Sequence, residues 1–290
     1  MKTNYTYTAI ITPFKNDKID ELALEKIIEM QIKNGISGIV PCGTTGESPT
    51  LTHQEHNRVI EVCVKIVNKR IKVMAGTGSN STQEAVEMTN HARKAGADSC
   101  LIVAPYYNKP TPTVVYQHFY ELNKCDIDLY IYNIPGRSVI NISDENIAKI
   151  AQLKNVVGIK DATGDLARVA NLRTLIKKDF NYLSGEDATV VGFNAMGGNG
   201  VISVTANIAP KLVSDLQKFC QNQDYQSALA LQDQINELHN AMFCETNPIP
   251  VKYAMSVLGF CSDEIRLPLT APSEASQKRI IDQLKKLKLI

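Results

Sequence analysis

A lysine, a tyrosine and an arginine follow two successive β-branched segments near the middle of this chain. Val156-Val157-Gly158-Ile159-Lys160 ends in the lysine, and Leu129-Tyr130-Ile131-Tyr132 ends in the tyrosine, with Arg137 close behind it. A partly desolvated lysine amine is a nucleophile towards a ketone, a phenol can relay protons, and a guanidinium binds a carboxylate through two parallel hydrogen bonds. Together these residue types supply an amine that can attack a ketone, a proton relay and a clamp for a carboxylate.

A glycine-rich turn, Gly43-Thr44-Thr45-Gly46-Glu47-Ser48, follows an earlier β-branched segment. Glycines allow the backbone to turn sharply, and exposed N–H groups beside two hydroxyls can hold a carboxylate or a phosphate. Each signal also has an ordinary structural interpretation. The turn is typical of a tight connection, Lys160 could extend into water, Tyr132 could be a packing residue and Arg137 a surface charge.

The elements that must position these residues repeat from end to end, as a short β-branched run, a turn and an amphipathic helix. The eight runs are residues 7–11, 38–40, 72–75, 99–104, 129–132, 156–160, 182–184 and 200–204. Parallel strands with helical crossovers explain this order, and eight such units close into an α/β fold, the (β/α)8 TIM barrel. An open doubly wound sheet is the alternative, but Ile11-Thr12-Pro13 is not a dinucleotide-binding turn.

After the last run the pattern is helical only, over residues 228–242, 248–258 and 273–287. We therefore expect a barrel over residues 1–223 that carries the active site. Residues 224–290 should form a small C-terminal helical extension packed on it. Side chains alternate along a strand, so residues 156, 158 and 160 share one face, and an inward face would aim Lys160 at the barrel mouth.

Two helices carry capping signals at their starts. Thr52 with Glu55, and Ser81 with Glu84, match the capping box, in which each side chain bonds the other residue's backbone N–H. We expect both boxes to form.

Composition excludes several classes of protein. The 290 residues carry 31 basic and 30 acidic side chains, a formal net charge of +1, which argues against nucleic acid or an anionic membrane as the main partner. No apolar run approaches the roughly 20 residues of a membrane span, and the first residues lack a signal peptide's apolar stretch. Seven scattered cysteines fit reduced thiols, so we expect a cytoplasmic protein.

Motifs for metal and cofactor binding are also missing from the sequence. There is no P-loop, no H-E-x-x-H and no G-x-S-x-G. His53 and His56 are spaced like metal ligands, but no third ligand is evident, and Cys42 is better explained as a small buried hydrophobe than as a nucleophile. We expect neither a metal nor a cofactor.

At this point the sequence resembles the dihydrodipicolinate synthase/N-acetylneuraminate lyase family of pyruvate-dependent class I aldolases. The resemblance runs from about residue 8 to residue 269. Beyond the glycine-rich turn, it rests on the motifs Ala75-Gly76-Thr77-Gly78, Pro105-Tyr106-Tyr107-Asn108, Tyr132-Asn133-Ile134-Pro135-Gly136-Arg137, Gly158-Ile159-Lys160, Gly200-Val201-Ile202-Ser203 and Asn247-Pro248-Ile249-Pro250.

The resemblance implies a condensation of pyruvate with L-aspartate 4-semialdehyde, the entry to diaminopimelate and lysine synthesis. The implied catalytic residues are Lys160 as the Schiff-base lysine, Tyr132 as proton shuttle, Thr44 as a relay, and Tyr107 reaching across a dimer interface. The implied substrate-binding residues are Thr45 for the pyruvate carboxylate, Ile202 through its carbonyl, Arg137 for the semialdehyde carboxylate and Gly185 near its amino group.

The resemblance also implies a homotetramer, a dimer of tight dimers, and an L-lysine inhibitory site at the dimer interface. The residues that match that site are Ser48, Pro49, His53, His56, Asn80, Glu84 and Tyr106, with both histidines expected as neutral acceptors. The alternative activity is another pyruvate-dependent aldolase such as N-acetylneuraminate lyase, which resembles the family with an apolar residue in place of Arg137. A catalytically inactive barrel used for ligand sensing is a third alternative.

Overall fold

The computed structural model describes residues 5–290; residues 1–4, part of the stretch that lacks a signal-peptide pattern, lie outside them. Eight parallel strands close into a barrel in which β1 pairs with both β2 and β8. The strands are β1 Tyr5–Thr8, β2 Gly38–Ile39, β3 Lys72–Gly76, β4 Ser99–Val103, β5 Asp128–Asn133, β6 Val156–Asp161, β7 Asn181–Ser184 and β8 Gly200–Ser203. The predicted (β/α)8 barrel is confirmed.

A helix follows each strand and covers the outside of the barrel. These helices are α1 Glu21–Lys33, α2 His53–Val67, α3 Thr82–Ala95, α4 Pro112–Leu122, α5 Asp144–Ile150, α6 Leu166–Leu175, α7 Val190–Ala195 and α8 Pro210–Gln221. Short additions are a hairpin of Phe14–Lys15 with Lys18–Ile19, a helical turn at Pro135–Ser138, and 3-10 turns at Ser48–Thr50, Asn123–Cys125 and Thr205–Asn207. No helix within residues 5–290 is long and apolar enough to cross a membrane.

Three further helices complete the chain: α9 Tyr225–Met242, α10 Ile249–Val257 and α11 Glu274–Lys286. Their apolar faces share one hydrophobic core with the barrel helices, since Leu238, Val251 and Ile280 belong to the same cluster as Ile27 and Val59. The helical extension is present as expected, and its division from the barrel at residues 223 and 224 stays a prediction.

Tyrosine rings fill the barrel interior beneath the mouth. A Cβ at Gly158 would lie 2.4 Å from a Tyr130 ring carbon, and a Cβ at Gly38 would lie 2.2 Å from a Tyr7 ring carbon. Each glycine therefore admits an aromatic ring from the neighbouring strand, and the Tyr130 ring fills the space beside Gly158. The barrel has a packed floor one residue layer below Lys160 and Tyr132.

The two predicted capping boxes have different outcomes. At α2, the Thr52 hydroxyl accepts from Glu55 N–H and the Glu55 carboxylate accepts from Thr52 N–H, so the box is complete. At α3, Ser81 accepts from Glu84 N–H, but the Ser81 N–H donates to the Ser79 hydroxyl at 3.0 Å, and the Glu84 carboxylate bonds Ser79 and His53. The second box is half formed because Ser79 takes the place of the carboxylate at the Ser81 N–H.

Candidate active site

A cavity of about 100 Å³ lies at the carboxyl ends of the barrel strands. Six of the eight residues predicted to be catalytic or substrate-binding line it: Thr44, Thr45, Tyr132, Arg137, Lys160 and Gly185. Parallel pairing produces this convergence, because the strands of a barrel all end at the same rim.

Lys160 is the buried lysine of this cavity, with 6% of its surface exposed. It is register partner to Tyr132 on the adjacent strand, and its Nζ lies 4.3 Å from the centroid of the Tyr132 ring. A Cβ at Gly185 would lie 2.9 Å from Lys160 Cε, so the missing side chain leaves room for the lysine. The geometry presents an amine towards the cavity with a phenol beside it.

The glycine-rich turn supplies N–H groups to the same cavity. The amides of Gly46, Glu47 and Ser48 are used within the turn, where they donate to carbonyls of residues 43 and 44. The amides of Thr44 and Thr45 donate to no acceptor in the part of the chain that the structure describes. Two unused N–H groups beside two hydroxyls are the donors that a carboxylate cradle requires, and the binding role of this turn stays a prediction.

Arg137 lies at the rim of the cavity on the single helical turn after β5. One Nη donates to the Asn247 carbonyl at 2.9 Å, and the Asn247 side chain donates to the Thr45 hydroxyl at 3.0 Å. Asn247 therefore joins the two groups that were assigned to the two carboxylates. Arg137 keeps N–H donors for a ligand, because this contact uses only one of them.

Three residues of the cavity, Glu186, Phe243 and Asn247, were missed as site residues by sequence reasoning. Glu186 directly follows Gly185 at the end of β7, and burial raises the pKa of its carboxyl group while the nearby Lys160 opposes that rise. Its place at a strand end was the available signal. Asn247 belongs to one of the motifs of the resemblance but had no predicted role, and nothing in the sequence marks Phe243 as a site residue.

Tyr107 and Ile202 do not line this cavity. Ile202 is 1% exposed and packs in the barrel interior with Tyr7. Tyr107 is 89% exposed, with φ of 72° in a tight turn closed by the Asn108 N–H, which donates to the Tyr106 carbonyl at 2.9 Å. Within one chain the Tyr107 phenol therefore lies away from Lys160.

Tyr132 and Thr44 line the cavity without touching through their hydroxyls. Within residues 5–290 neither hydroxyl has a hydrogen-bonding partner, although both belong to one wall. The structure therefore places Tyr132 and Thr44 at the same cavity, but the hydrogen bond expected between them is not formed in the single chain.

A larger cavity of about 450 Å³ adjoins the first, and Thr44, Tyr132 and Arg137 line both. Six of the seven residues predicted for the L-lysine site line it: Ser48, Pro49, His53, His56, Glu84 and Tyr106. Asn80 does not line it; its carbonyl accepts from the Asn108 side chain at 2.9 Å.

The two histidines of the larger cavity differ in the partner of Nε2. His56 Nε2 is 2.8 Å from the Gly76 carbonyl, so this nitrogen carries the proton. Burial lowers the pKa of His56, which leaves Nδ1 as a bare acceptor. His53 Nε2 instead lies 2.6 Å from a Glu84 carboxylate oxygen, so only Nδ1 of His53 is left as an acceptor, and its acceptor role stays a prediction. A carboxylate can only accept, and His53 must donate to it.

Cys42 is not a nucleophile in this arrangement. It is 2% exposed, and burial raises the pKa of its thiol well above the ordinary value. Its Sγ donates to the His56 carbonyl at 3.5 Å. Among residues 5–290, no group of three or more His, Cys, Asp or Glu side chains is placed to hold a metal ion.

Comparison with known proteins decides the family. A sequence model of the dihydrodipicolinate synthetase family matches residues 2–287. The chain belongs to this family. The 4-hydroxy-tetrahydrodipicolinate synthase of Parvibaculum lavamentivorans is 51% identical over 286 residues, which cover 98% of this chain and 98% of that protein. The resemblance drawn from the motifs is thereby confirmed.

Solved structures of the dihydrodipicolinate synthetase family agree with this chain in fold. The chloride-inhibited dihydrodipicolinate synthase of Acinetobacter baumannii in complex with pyruvate superposes with a TM-score of 0.97 at 42% identity, over 99% of each chain. The enzyme of Cyanidioschyzon merolae with lysine bound has a TM-score of 0.96 at 34% identity, again over 99% of each chain.

Proposed function

We propose that this chain condenses pyruvate with L-aspartate 4-semialdehyde through a Schiff base on Lys160, giving 4-hydroxy-tetrahydrodipicolinate. The observation that carries the proposal is the convergence of one amine, one phenol and one guanidinium on a single small cavity. Relatives that match almost the whole chain are named for this reaction, and one was crystallised with pyruvate.

In the proposed first half-reaction, the neutral Lys160 amine attacks the pyruvate carbonyl carbon, and water leaves to give an imine. The imine withdraws electrons, so a proton leaves the methyl group and an enamine forms. The amides and hydroxyls of Thr44 and Thr45 hold the pyruvate carboxylate, which keeps the ketone beside the amine. Proton transfers pass through Tyr132, whose ring lies against Lys160 Nζ.

In the second half-reaction, the enamine carbon attacks the aldehyde carbon of the semialdehyde. The aldehyde oxygen takes up a proton through Tyr132. The amino nitrogen that came with the semialdehyde then attacks the imine carbon, which closes the ring and displaces the Lys160 amine. Arg137 binds the semialdehyde carboxylate with its remaining donors. In this proposal Gly185 lies near the semialdehyde's amino group, and the Ile202 carbonyl lies beside the pyruvate.

Arg137 also favours the synthase over a sialic acid lyase. A guanidinium at the cavity rim suits an aldehyde that carries a carboxylate, whereas the lyase pattern has an apolar residue at this position. The Asn247 carbonyl holds the guanidinium towards the cavity and supports a binding role over a surface charge.

The decisive experiment is a coupled assay with pyruvate and the semialdehyde, run beside an assay of sialic acid cleavage. We expect turnover in the first and none in the second. Incubation with pyruvate and borohydride should trap a reduced adduct on Lys160, and Lys160→Ala should abolish it. An adduct on another lysine would refute the assigned role.

We also propose L-lysine as an effector bound in the larger cavity. Its support is a preformed pocket that combines the Glu84 anion, the bare His56 acceptor and the Tyr106 phenol, next to the residues of the smaller cavity. The Cyanidioschyzon merolae relative whose structure contains lysine superposes on 99% of this chain.

The assembly that fits best is a homotetramer built as a dimer of dimers. Its support is Tyr107, which is exposed and lines neither cavity of its own chain. A partner subunit that receives this phenol would complete the relay at Thr44. The compartment we propose is the cytoplasm, in keeping with seven free cysteines and a biosynthetic reaction.

A further inference from the structure

A fully buried ion pair lies directly behind the carboxylate cradle. The side chains of Lys252 and Glu47 are each 1% exposed, and Lys252 Nζ donates to a Glu47 carboxylate oxygen. The other side of the ammonium lies 4.0 Å from the centroid of the Phe14 ring. Burying both charges is costly, and an apolar pair of the same volume often serves stability as well. The pair therefore calls for an explanation other than stability.

Glu47 belongs to the cradle itself. It stands in the glycine-rich turn with φ of 54°, a left-handed conformation that L-residues seldom adopt. Its second carboxylate oxygen accepts from the Arg266 backbone N–H at 3.2 Å, and the preceding Gly46 carbonyl accepts from the Thr12 hydroxyl at 2.7 Å. The carboxylate thus anchors the end of the turn whose middle presents the Thr44 and Thr45 amides.

Lys252 belongs to the element that holds the other binding groups. It lies in the first turns of α10, where its N–H donates to the Pro248 carbonyl at 3.0 Å. Asn247, just before this helix, contacts both the Thr45 hydroxyl and Arg137. One ion pair therefore ties the turn that cradles pyruvate to the helix start that orients Arg137.

We propose that Lys252 and Glu47 are a positioning pair for both substrate carboxylates. The pair fixes the distance between the cradle at Thr44 and Thr45 and the Arg137 clamp, while Lys160 is held independently by its own strand. The inference rests on the proposed condensation and deepens it by naming residues that do not touch substrate. Losing the pair should weaken capture of both substrates without preventing imine formation at saturating pyruvate.

The test uses the double variant Glu47→Gln/Lys252→Met, which removes both charges while keeping the side-chain volumes. A merely structural pair predicts wild-type kinetics for this variant. If the pair positions the binding groups, kcat/KM should be about 10–100-fold lower for each substrate, mostly because KM rises. The Lys160 adduct should still form at saturating pyruvate. Hydrogen exchange of the amides of residues 43–48 should be faster than in the wild type. Leu216→Ala, in a separate core cluster, controls for lost stability and should change neither readout.

Wild-type kinetics together with wild-type exchange on residues 43–48 in the double variant would overturn the proposal. If that variant does not fold, Lys252→Met alone decides in the same direction, because it removes the contact between α10 and the turn while the Glu47 carboxylate still accepts from the Arg266 N–H. A wild-type protein inactive with pyruvate and the semialdehyde would refute the proposed function. The exchange measurement would still decide whether the pair anchors the turn.

Discussion

Tyr132 and Lys160 face each other across β5 and β6, with Lys160 Nζ 4.3 Å from the centroid of the Tyr132 ring. The contact uses the face of the ring, whereas the hydroxyl at its far end has no hydrogen-bonding partner within residues 5–290. Ring and hydroxyl therefore have separable roles. The ring packs against the amine, and the hydroxyl is left for proton transfer.

Tyr132→Phe separates these roles. Phenylalanine keeps the ring beside Lys160, so the adduct trapped by borohydride should persist. Loss of the hydroxyl should lower kcat by about 10²–10⁴-fold, the usual range for one acid–base group. Tyr132→Ala, which removes the ring as well, should also slow adduct formation. Steady-state kinetics and mass spectrometry of the adduct check both, and an unimpaired kcat in Tyr132→Phe would contradict the relay.

Arg137→Ala should act on the second substrate. Its guanidinium is oriented by the Asn247 carbonyl, and its remaining donors match a carboxylate. The KM for the semialdehyde should rise by about tenfold or more, while pyruvate trapping on Lys160 persists. Arg137→Lys, which keeps the charge but loses the planar fork, should give an intermediate KM. If trapping collapsed and semialdehyde kinetics held, the assignment would be wrong.

The strands and the strand-end residues were predictable from sequence because the barrel buries them in short β-branched runs at regular intervals. The lysine, the phenol and the glycine-rich turn then followed from the rule that barrel sites lie at strand ends. Contacts made across long sequence separations were not predictable. Arg137 and Asn247 are 110 positions apart, and only the packing of the C-terminal helices brings them together.

Local signals failed where a side chain had a competing partner. The Ser81 and Glu84 pattern predicts a complete capping box, but the Ser79 hydroxyl accepts from the Ser81 N–H, and the Glu84 carboxylate bonds Ser79 and His53 instead. The contact with Glu84 removes His53 Nε2 as an acceptor. Likewise, the sequence shows that Gly158 lacks a side chain, but not that the Tyr130 ring fills the space.

Complementation between subunits tests the place of Tyr107. Tyr107 is 89% exposed and lines neither cavity of its own chain, and the proposed dimer assigns it to the site of a neighbouring subunit. Tyr107→Phe should lower kcat by about 10–10³-fold. Mixing Tyr107→Phe with Lys160→Ala under subunit exchange should restore activity, because some sites then combine an intact lysine with an intact phenol. No recovery despite exchange verified by mass spectrometry would contradict a shared site.

His118 should make the fold sensitive to acid. It is buried on α4, with Nδ1 2.9 Å from the Thr82 hydroxyl, and burial lowers its pKa from 6.5 to about 4. Because the folded-state pKa lies below the unfolded value, its stabilising contribution is complete above pH 6.5, declines as the pH falls towards about 4 and is constant below that. The loss is on the order of 3 kcal/mol.

The check is His118→Gln, which keeps a partner for Thr82 but does not titrate. Urea unfolding at several pH values should give a smaller drop in the free energy of unfolding between pH 6.5 and about 4 than in the wild type. Other buried histidines, such as His56, contribute to both proteins alike, so the difference reports on His118. If the free energy of unfolding fell equally with pH in the two proteins, His118 would not be the source of the acid sensitivity.

Glu84 is the residue expected to bind the ammonium group of L-lysine. The Ser79 hydroxyl and His53 hold the pKa of its carboxyl group below the usual range, so it offers an anion to an ammonium group. It lines only the larger cavity, so a ligand there should not compete with pyruvate for Lys160. L-lysine should therefore inhibit partially, and Glu84→Ala should relieve inhibition while uninhibited turnover is retained.

Glu87→Ala is the matched control, because it removes the same charge one turn along α3, where the carboxylate bonds only Gln83 at 3.0 Å. Its inhibition by L-lysine should equal that of the wild type. His56→Asn should weaken binding as well, since the bare Nδ1 that accepts from an ammonium is lost. Calorimetry with L-lysine measures the three variants directly. If millimolar L-lysine gave neither heat nor inhibition with the wild type, the larger cavity would not be an effector site. If Glu84→Ala still bound L-lysine as the wild type does, the binding site would lie outside this cavity.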